Sequence, residues 1–250
     1  MKRVYYLFIL ACSFTLFACS HKSSDIKQSN DKNTITINLE SPQSLHASRL
    51  FDTIIYVPLE TSDTYIFSRA SHLKVNDEKD LYFISDKSFF LFAGETGKGK
   101  VKISRLGNGP DGYTSIFDSN VDSSTKEIEL LDNNAKKIVI YDMDGNHKRS
   151  MSLPFMSFMF AKTGKDDYWF YNNNLLSEAS DHKVVHFVSN KGKIEEYDKI
   201  DKHLAKYFFI DDEKNLIVQN GNLLYHYSPS DTIYQIRPDK EMRAAYVLDM

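Results

Sequence analysis

The chain has 250 residues, with 31 basic and 34 acidic side chains and a formal net charge of −3. That balance, without a basic stripe, leaves no electrostatic footprint for nucleic acid. Its two cysteines, Cys12 and Cys19, both fall in the first 19 residues, which excludes a disulfide framework, and the length suits one sizeable all-β domain.

In chain order, Lys2 and Arg3 form a short positive region, and Val4 to Phe17 is almost wholly apolar. The run is too short for a comfortable membrane span and has the layout of a secretory signal over residues 1–18. It ends in Leu16-Phe17-Ala18-Cys19, which resembles the lipobox of bacterial lipoproteins. The resemblance implies cleavage before Cys19 and lipidation of that cysteine. Ser20 in place of Asp after the cysteine implies the outer membrane, and the lack of a following acidic run favours its periplasmic side over the cell surface. Residues 19–33, polar and without aromatic side chains, read as a flexible tether. Losing Lys2 and Arg3 with the signal leaves 29 basic residues (31 − 2) against 34 acidic ones.

From residue 34 onward, short β-type runs recur: "TITINL", "TIIYVPL", "DLYFIS", "SFFLFA", "KVKISRL", "EIELLD", "KIVIYDMDG", "DYWFYN", "KVVHFVSNKG", "NLIVQN", "LLYHYS" and "TIYQI". They are rich in Ile, Val, Tyr and Phe and are punctuated by Asp, Asn, Gly and Ser, which predicts antiparallel strands throughout. An aromatic residue followed by a turn recurs at Phe92, Tyr141, Phe187 and Tyr234, spaced 49, 46 and 47 residues apart. The turn glycines Gly97, Gly145 and Gly192 follow the same period. A period in the forties with four short strands per unit is the signature of propeller blades. One four-stranded sheet cannot bury both its faces, whereas stacked blades give each sheet two neighbours. The predicted fold class is therefore an all-β β-propeller of four-stranded antiparallel blades, near residues 66–106, 113–154, 155–200 and 205–250.

The order "LFDTIIYVPLET", "LYFISD", "RLGNGPDGY", "IVIYDMDGN", "LPF", "YNNN" and "DTIYQI" resembles the six-bladed, NHL-like β-propeller lipoproteins of gut Gram-negative bacteria, over residues 34–250. In that family the "GNGPDGY" loop reads G-x-G-P-G-E-Y, so Asp111-Gly112 inverts the usual pair. Four repeats are countable where the resemblance implies six. The chain is thus expected to be a C-terminally truncated version of the pattern, folding as an open arc of about four blades. The outer faces of the first and last sheets would be uncovered. "TITINL" and "TIIYVPLE" would lack a closing partner, and the chain would self-associate through open blade edges.

Three motifs and the histidines could carry chemistry. "GNGPDG" (Gly107, Gly109, Gly112) spells a dinucleotide-binding turn, but Pro110 sits inside it and "YTSIFDSNV" after it is β-like, so no helix opens there. It is expected to be a tight turn between blades, with Gly109 at positive φ. "DMDGN" (Asp142, Asp144, Gly145, Asn146) begins like a Ca²⁺ loop, but the twelfth position is Leu153, and a hairpin turn fits better. The histidines form no metal-binding pattern; no cofactor is expected, with calcium or zinc held by distant residues left open. The most unusual surface candidate is "DYWFYNNNLLSEASDHK". Trp169, Tyr171, Asn172, Asn173 and Asn174 are its candidate ligand contacts, since amides at a loop suit carbohydrate or peptide recognition. Alternation would also bury Trp169 and Tyr171 on one face.

No catalytic motif is present, which favours a lipid-anchored binding or scaffold propeller of the cell envelope with a carbohydrate, peptide or protein ligand. The alternative is a metal-dependent hydrolase or lyase using the propeller channel, by analogy of fold alone. His or Asp residues from three blades converging in the channel would favour it.

Overall fold

A strand that packs on both faces is buried at consecutive positions, and "SFFLF" and "EIELLD" have every residue buried. The computed structural model describes residues 33–36, 46–165, 167–172, 183–189, 193–199, 215–219, 221–226 and 230–249. The expected signal, Cys19, the tether up to residue 32, Gly192, Asn173 and Asn174 lie outside the described residues.

Four antiparallel meanders follow one another in the chain, inside the four expected spans. After β1 (Asn33–Thr36), the first comprises β2 (Ser71–Val75), β3 (Leu81–Ser85), β4 (Ser88–Phe92) and β5 (Gly99–Ile103). The second comprises β6 (Asp118–Asp122), β7 (Glu127–Asp132), β8 (Lys137–Asp142) and β9 (His147–Ser152). The third comprises β10 (Met159–Lys162), β11 (Tyr168–Tyr171), β12 (Lys183–Val188) and β13 (Ile194–Lys199). The fourth comprises β14 (Leu216–Gln219), β15 (Asn222–Tyr225), β16 (Thr232–Ile236) and β17 (Met242–Asp249).

The sheets stack face to face as propeller blades. Tyr82, Phe89 and Leu91 of the first sheet meet Ile128, Leu130 and Val139 of the second. The alternate residues Leu131, Ile138 and Ile140 meet Phe160, Tyr168 and Phe170 of the third. Trp169, Tyr171 and Phe187 meet Leu223, Tyr225 and Ile236 of the fourth. Each such side chain stabilises the stack by about 1.5–3 kcal/mol through burial.

The two ends of the arc differ from expectation. "TITINL" does find a partner: Asn33–Thr36 runs parallel to Tyr246–Asp249 as a fifth strand of the last sheet. "TIIYVPLE" is not a strand. Pro58 removes one ladder donor, and the segment crosses the face of the first sheet rather than its edge. There Leu59, Tyr65 and Phe67 cover Phe83, Phe90 and Phe92, with Phe67 edge-on to Phe83 at 4.9 Å between centroids. The Glu60 amide donates to the Gly97 carbonyl at 2.8 Å. The outer face of the first sheet is therefore strapped, not bare. Among the described residues nothing covers the outer face of the fourth: Ile217 pairs with Leu224 and Ile233 with Tyr246 across it, and Ile217, Tyr246 and Ile35 are exposed. The four blades form an open arc.

Candidate binding site in the channel

The inner strands β2, β6, β10 and β14 end around one depression of about 1030 Å³. It runs along these strands and includes the turns that follow β2, β6 and β10, with Asn76, Ser124, Thr125 and Lys165 in its lining. Leu73, Val75, Ile217 and Val218, all exposed, give it apolar walls from the first and fourth blades.

Its polar wall is built by β6. Lys74 of the first blade donates to Asp118 Oδ1 and to the Ser119 carbonyl, both at 2.6 Å. Asp118 Oδ2 accepts the Phe160 amide of the third blade at 3.0 Å. Lys162 of β10 lies 2.8 Å from both Asp122 Oδ2 and Glu129 Oε1. Tyr168 donates to Glu129 Oε1 at 2.7 Å and Asn120 Nδ2 to Oε2 at 2.9 Å. The side chains of Glu129 and Lys162 are 0% and 5% exposed, so this cluster is a buried tie between blades. Burial alone would lower the Lys162 pKa, but the Glu129 charge and the Asp122 hydrogen bond outweigh it and raise the group. Burial likewise favours neutral Asp122, yet hydrogen bonds from Lys162, Ser124 and Thr125 hold its carboxyl well below the usual range.

Among the described residues, no three His, Cys, Asp or Glu side chains lie close enough to share a cation. The three-blade convergence that would favour metal chemistry is not among them. The wall can orient a ligand by hydrogen bonds while its apolar flanks cover the ligand's body.

The expected ligand contacts sit elsewhere. Trp169 and Tyr171 are 2% and 1% exposed, packed between the third and fourth sheets. Trp169 lies 5.0 Å from Phe187 and Tyr171 lies 6.0 Å from Tyr225, centroid to centroid. They are inter-blade packing residues, because alternation turns both rings toward the neighbouring sheet. Asn172 is buried with its Nδ2 3.1 Å from His186 Nε2. Since Tyr171 pairs with Met159, the first residue of β10, Asn172 stands at the end of the sheet opposite Lys162 and the depression. Sequence reasoning missed Lys74 and Lys162. Their signal was a lysine at the fourth position of two inner strands, facing the "DSNVD" carboxylates between them.

"GNGPDG" links β5 to β6 as a turn. The Tyr113 amide donates to the Arg105 carbonyl at 3.0 Å and the Gly107 amide to the Tyr113 carbonyl at 2.9 Å. The buried Tyr113 hydroxyl donates toward the Lys87 and Ile103 carbonyls at 2.9 and 3.0 Å. Second-blade side chains hold the loop from outside: Lys137 on the Gly112 carbonyl, Tyr141 on Asp111 and Ser150 on Pro110. Gly109 is not at positive φ, contrary to expectation; Gly107 is. The residue that must lack a side chain is Gly112, whose Cβ would stand 2.8 Å from the Gly107 carbonyl oxygen. Gly112→Ala should therefore cost about 1–3 kcal/mol by overpacking. Gly109→Ala, which meets only the Asp111 side chain, should stay within about 0.5 kcal/mol. Urea unfolding of the two variants checks the order; equal losses would contradict it.

"DMDGN" is the hairpin turn between β8 and β9. Asp142 Oδ1 accepts the Asp144 and Asn146 amides at 2.9 and 2.8 Å, with Gly145 at φ 78°.

The family model described as "Domain of unknown function (DUF4934)" matches residues 32–250. No curated protein matches the chain. Among solved structures it is similar to a Bacteroides fragilis protein described as exported, with a TM-score of 0.67 and 15% identity over 88% of this chain and 60% of that one. It is also similar to a DUF4221 family member from Bacteroides vulgatus, with a TM-score of 0.52 and 14% identity over 78% of this chain and 61% of that one. At such identities the likeness is one of fold. The chain spans 60% and 61% of the length of these two proteins.

Proposed function

The chain belongs to the family described as a domain of unknown function (DUF4934), and on this fold we propose a lipid-anchored envelope β-propeller that binds a ligand in its channel without transforming it. The observation that carries the reading is the depression shared by all four inner strands, whose lining Asp122 is committed to Lys162 of the adjacent blade, with Asp118 and Glu129 behind that wall tied to Lys74 and Lys162. Half-exposed apolar walls facing a polar one suit a carbohydrate or peptide. A panel of oligosaccharides and peptides, scored by melting temperature, tests it, because a native-state ligand raises stability. A ligand active on the parent and inactive on Val218→Trp, which fills the depression, supports the reading. Turnover of that ligand, or a rise in melting temperature with Zn²⁺ or Ca²⁺, would favour the metal-dependent hydrolase or lyase instead.

The envelope location draws support from the secretory layout of residues 1–18, with 19–33 as tether and 34–250 as the propeller domain, and from a fold shared with a protein described as exported. The resemblance to six-bladed NHL-like lipoproteins supports anchoring through Cys19 in the outer membrane, facing the periplasm. Cys19→Ala should release the protein from the membrane fraction or leave an uncleaved precursor. Maturation and sedimentation like the parent would sink the anchor.

The outer face of the fourth sheet, uncovered among the described residues, supports self-association of the chain. Sedimentation velocity over a concentration series should show species larger than the monomer. A single monomeric boundary at every concentration contradicts it.

A further inference from the structure

Residues 52–57, "DTIIYV", are built like a strand but belong to no sheet. Thr, Ile, Tyr and Val are strong strand formers, and Pro58 biases Val57 toward extended backbone. Among the described residues, the main chain of this segment makes no hydrogen bond. Ile54, Ile55 and Tyr56 are 60%, 78% and 88% exposed. We propose that the segment adds as a strand to the free edge of β1 in a second copy of the chain, joining copies head to tail. The inference rests on the self-association reading above, and it names the element that docks and the edge that receives it.

β1 is the end strand of the fourth sheet. Asn33–Thr36 pair with β17 on one side, and among the described residues nothing pairs with the other. All four residues are exposed. Such an edge is a template for a further strand, because its outward N–H and C=O groups are open. The side chains agree with the backbone. Asn33 stands opposite Tyr246 and Ile35 opposite Leu248, so Ile35 shares the outer face with Tyr246. Apolar residues alternate to both sides of "TIIYV", so either register sets two of them on that face beside Ile35.

The strap holds the segment at the other end of the arc from β1. The Glu60 amide bonds the Gly97 carbonyl, Tyr65 packs on Phe92 and Phe67 on Phe83. The edge within reach is therefore that of another copy. Two other occupants fit less well. Pairing of the segment with its own counterpart would give an isolated two-stranded ribbon, which is marginal in water. A lipid surface would leave the unpaired main chain unsatisfied. A sheet edge supplies both the hydrogen bonds and the apolar cover.

Sedimentation velocity of the full chain over a concentration series, on the parent and two variants, tests it. Ile55 is 78% exposed in a segment without main-chain hydrogen bonds. Ile55→Pro, which removes a ladder donor, should therefore melt like the parent and stay monomeric where the parent associates. Ile35→Lys charges the β1 edge but leaves the main-chain ladder to β17 in place, and should also stay monomeric. Mixed in equal amounts, the two should give dimers and nothing larger, because one keeps the edge and the other keeps the segment. A mixture that stays monomeric, with both variants melting like the parent, overturns the proposal. Contacts between like segments or within one chain cannot be complemented in this way. Association of Ile55→Pro equal to the parent's overturns this inference alone and leaves the outer face as the contact. A parent that is monomeric at every concentration overturns both readings.

Discussion

Lys162→Met should destabilise the folded chain by about 3–5 kcal/mol, the cost of removing one partner from a buried ion pair. Methionine nearly matches the lysine stem, so the loss comes from the charge left behind. Glu129 is 0% exposed and would keep only the Tyr168 and Asn120 hydrogen bonds. A second variant separates charge from packing: Lys162→Met with Glu129→Gln should recover much of the loss, because the uncompensated carboxylate is gone. Urea unfolding measures both, and a single-variant loss under about 1 kcal/mol would contradict the assignment. The cluster also sets an acid limb. Asp122 is held below its ordinary value in the fold. Its contribution is therefore present above the unfolded carboxylate pKa of about 4 and is lost as pH falls below it. Lys162→Met should flatten that limb.

Gly97→Ala should cost about 2–5 kcal/mol, by two additive routes. Its φ of +67° is left-handed, which costs a residue with a side chain about 1–2 kcal/mol. Its Cβ would also stand 1.9 Å from the Pro58 carbonyl oxygen. That contact has no flexible end, so the strap must lift or the turn must move, at about 1–3 kcal/mol. The lifted strap takes Leu59, Tyr65 and Phe67 off the stacked Phe83, Phe90 and Phe92. Hydrogen exchange should accordingly speed up at the Glu60 amide, which bonds the Gly97 carbonyl, before it does so in the second blade. Gly145→Ala serves as the control. It shares the left-handed φ, but its Cβ meets only Ile103 and Val101 at an ordinary 3.5 Å. Equal losses for the two variants would show that the strap contact contributes nothing.

The strand positions were legible because a blade buries both faces, so its strands read as runs of apolar residues, although "TIIYVPLE" reads the same way and is not a strand. The turn at "GNGPDG" was legible from Pro110 and the β-type residues after it. Its critical glycine was not, since Gly112 is required by the close approach of the Gly107 carbonyl, a distance no motif spells. Trp169 and Tyr171 stood out by rarity and by their neighbouring asparagines. Composition does not tell which end of a sheet faces the channel mouth. The register of β11 on β10 does, placing Asn172 beside Met159 and away from Lys162.

By itself the sequence determined the all-β class, the four repeats and the hairpin turns, because these depend on residues close together in the chain. Turn residues and alternating apolar runs act over a few positions, and the blade period repeats them. Only the tertiary structure decided what covers the first sheet, where "TITINL" pairs and which charges meet. Lys74 lies 44 residues from Asp118 and Lys162 lies 33 from Glu129. Those separations carry no local signal, since it is the stacking of whole blades that brings the side chains within hydrogen-bonding distance.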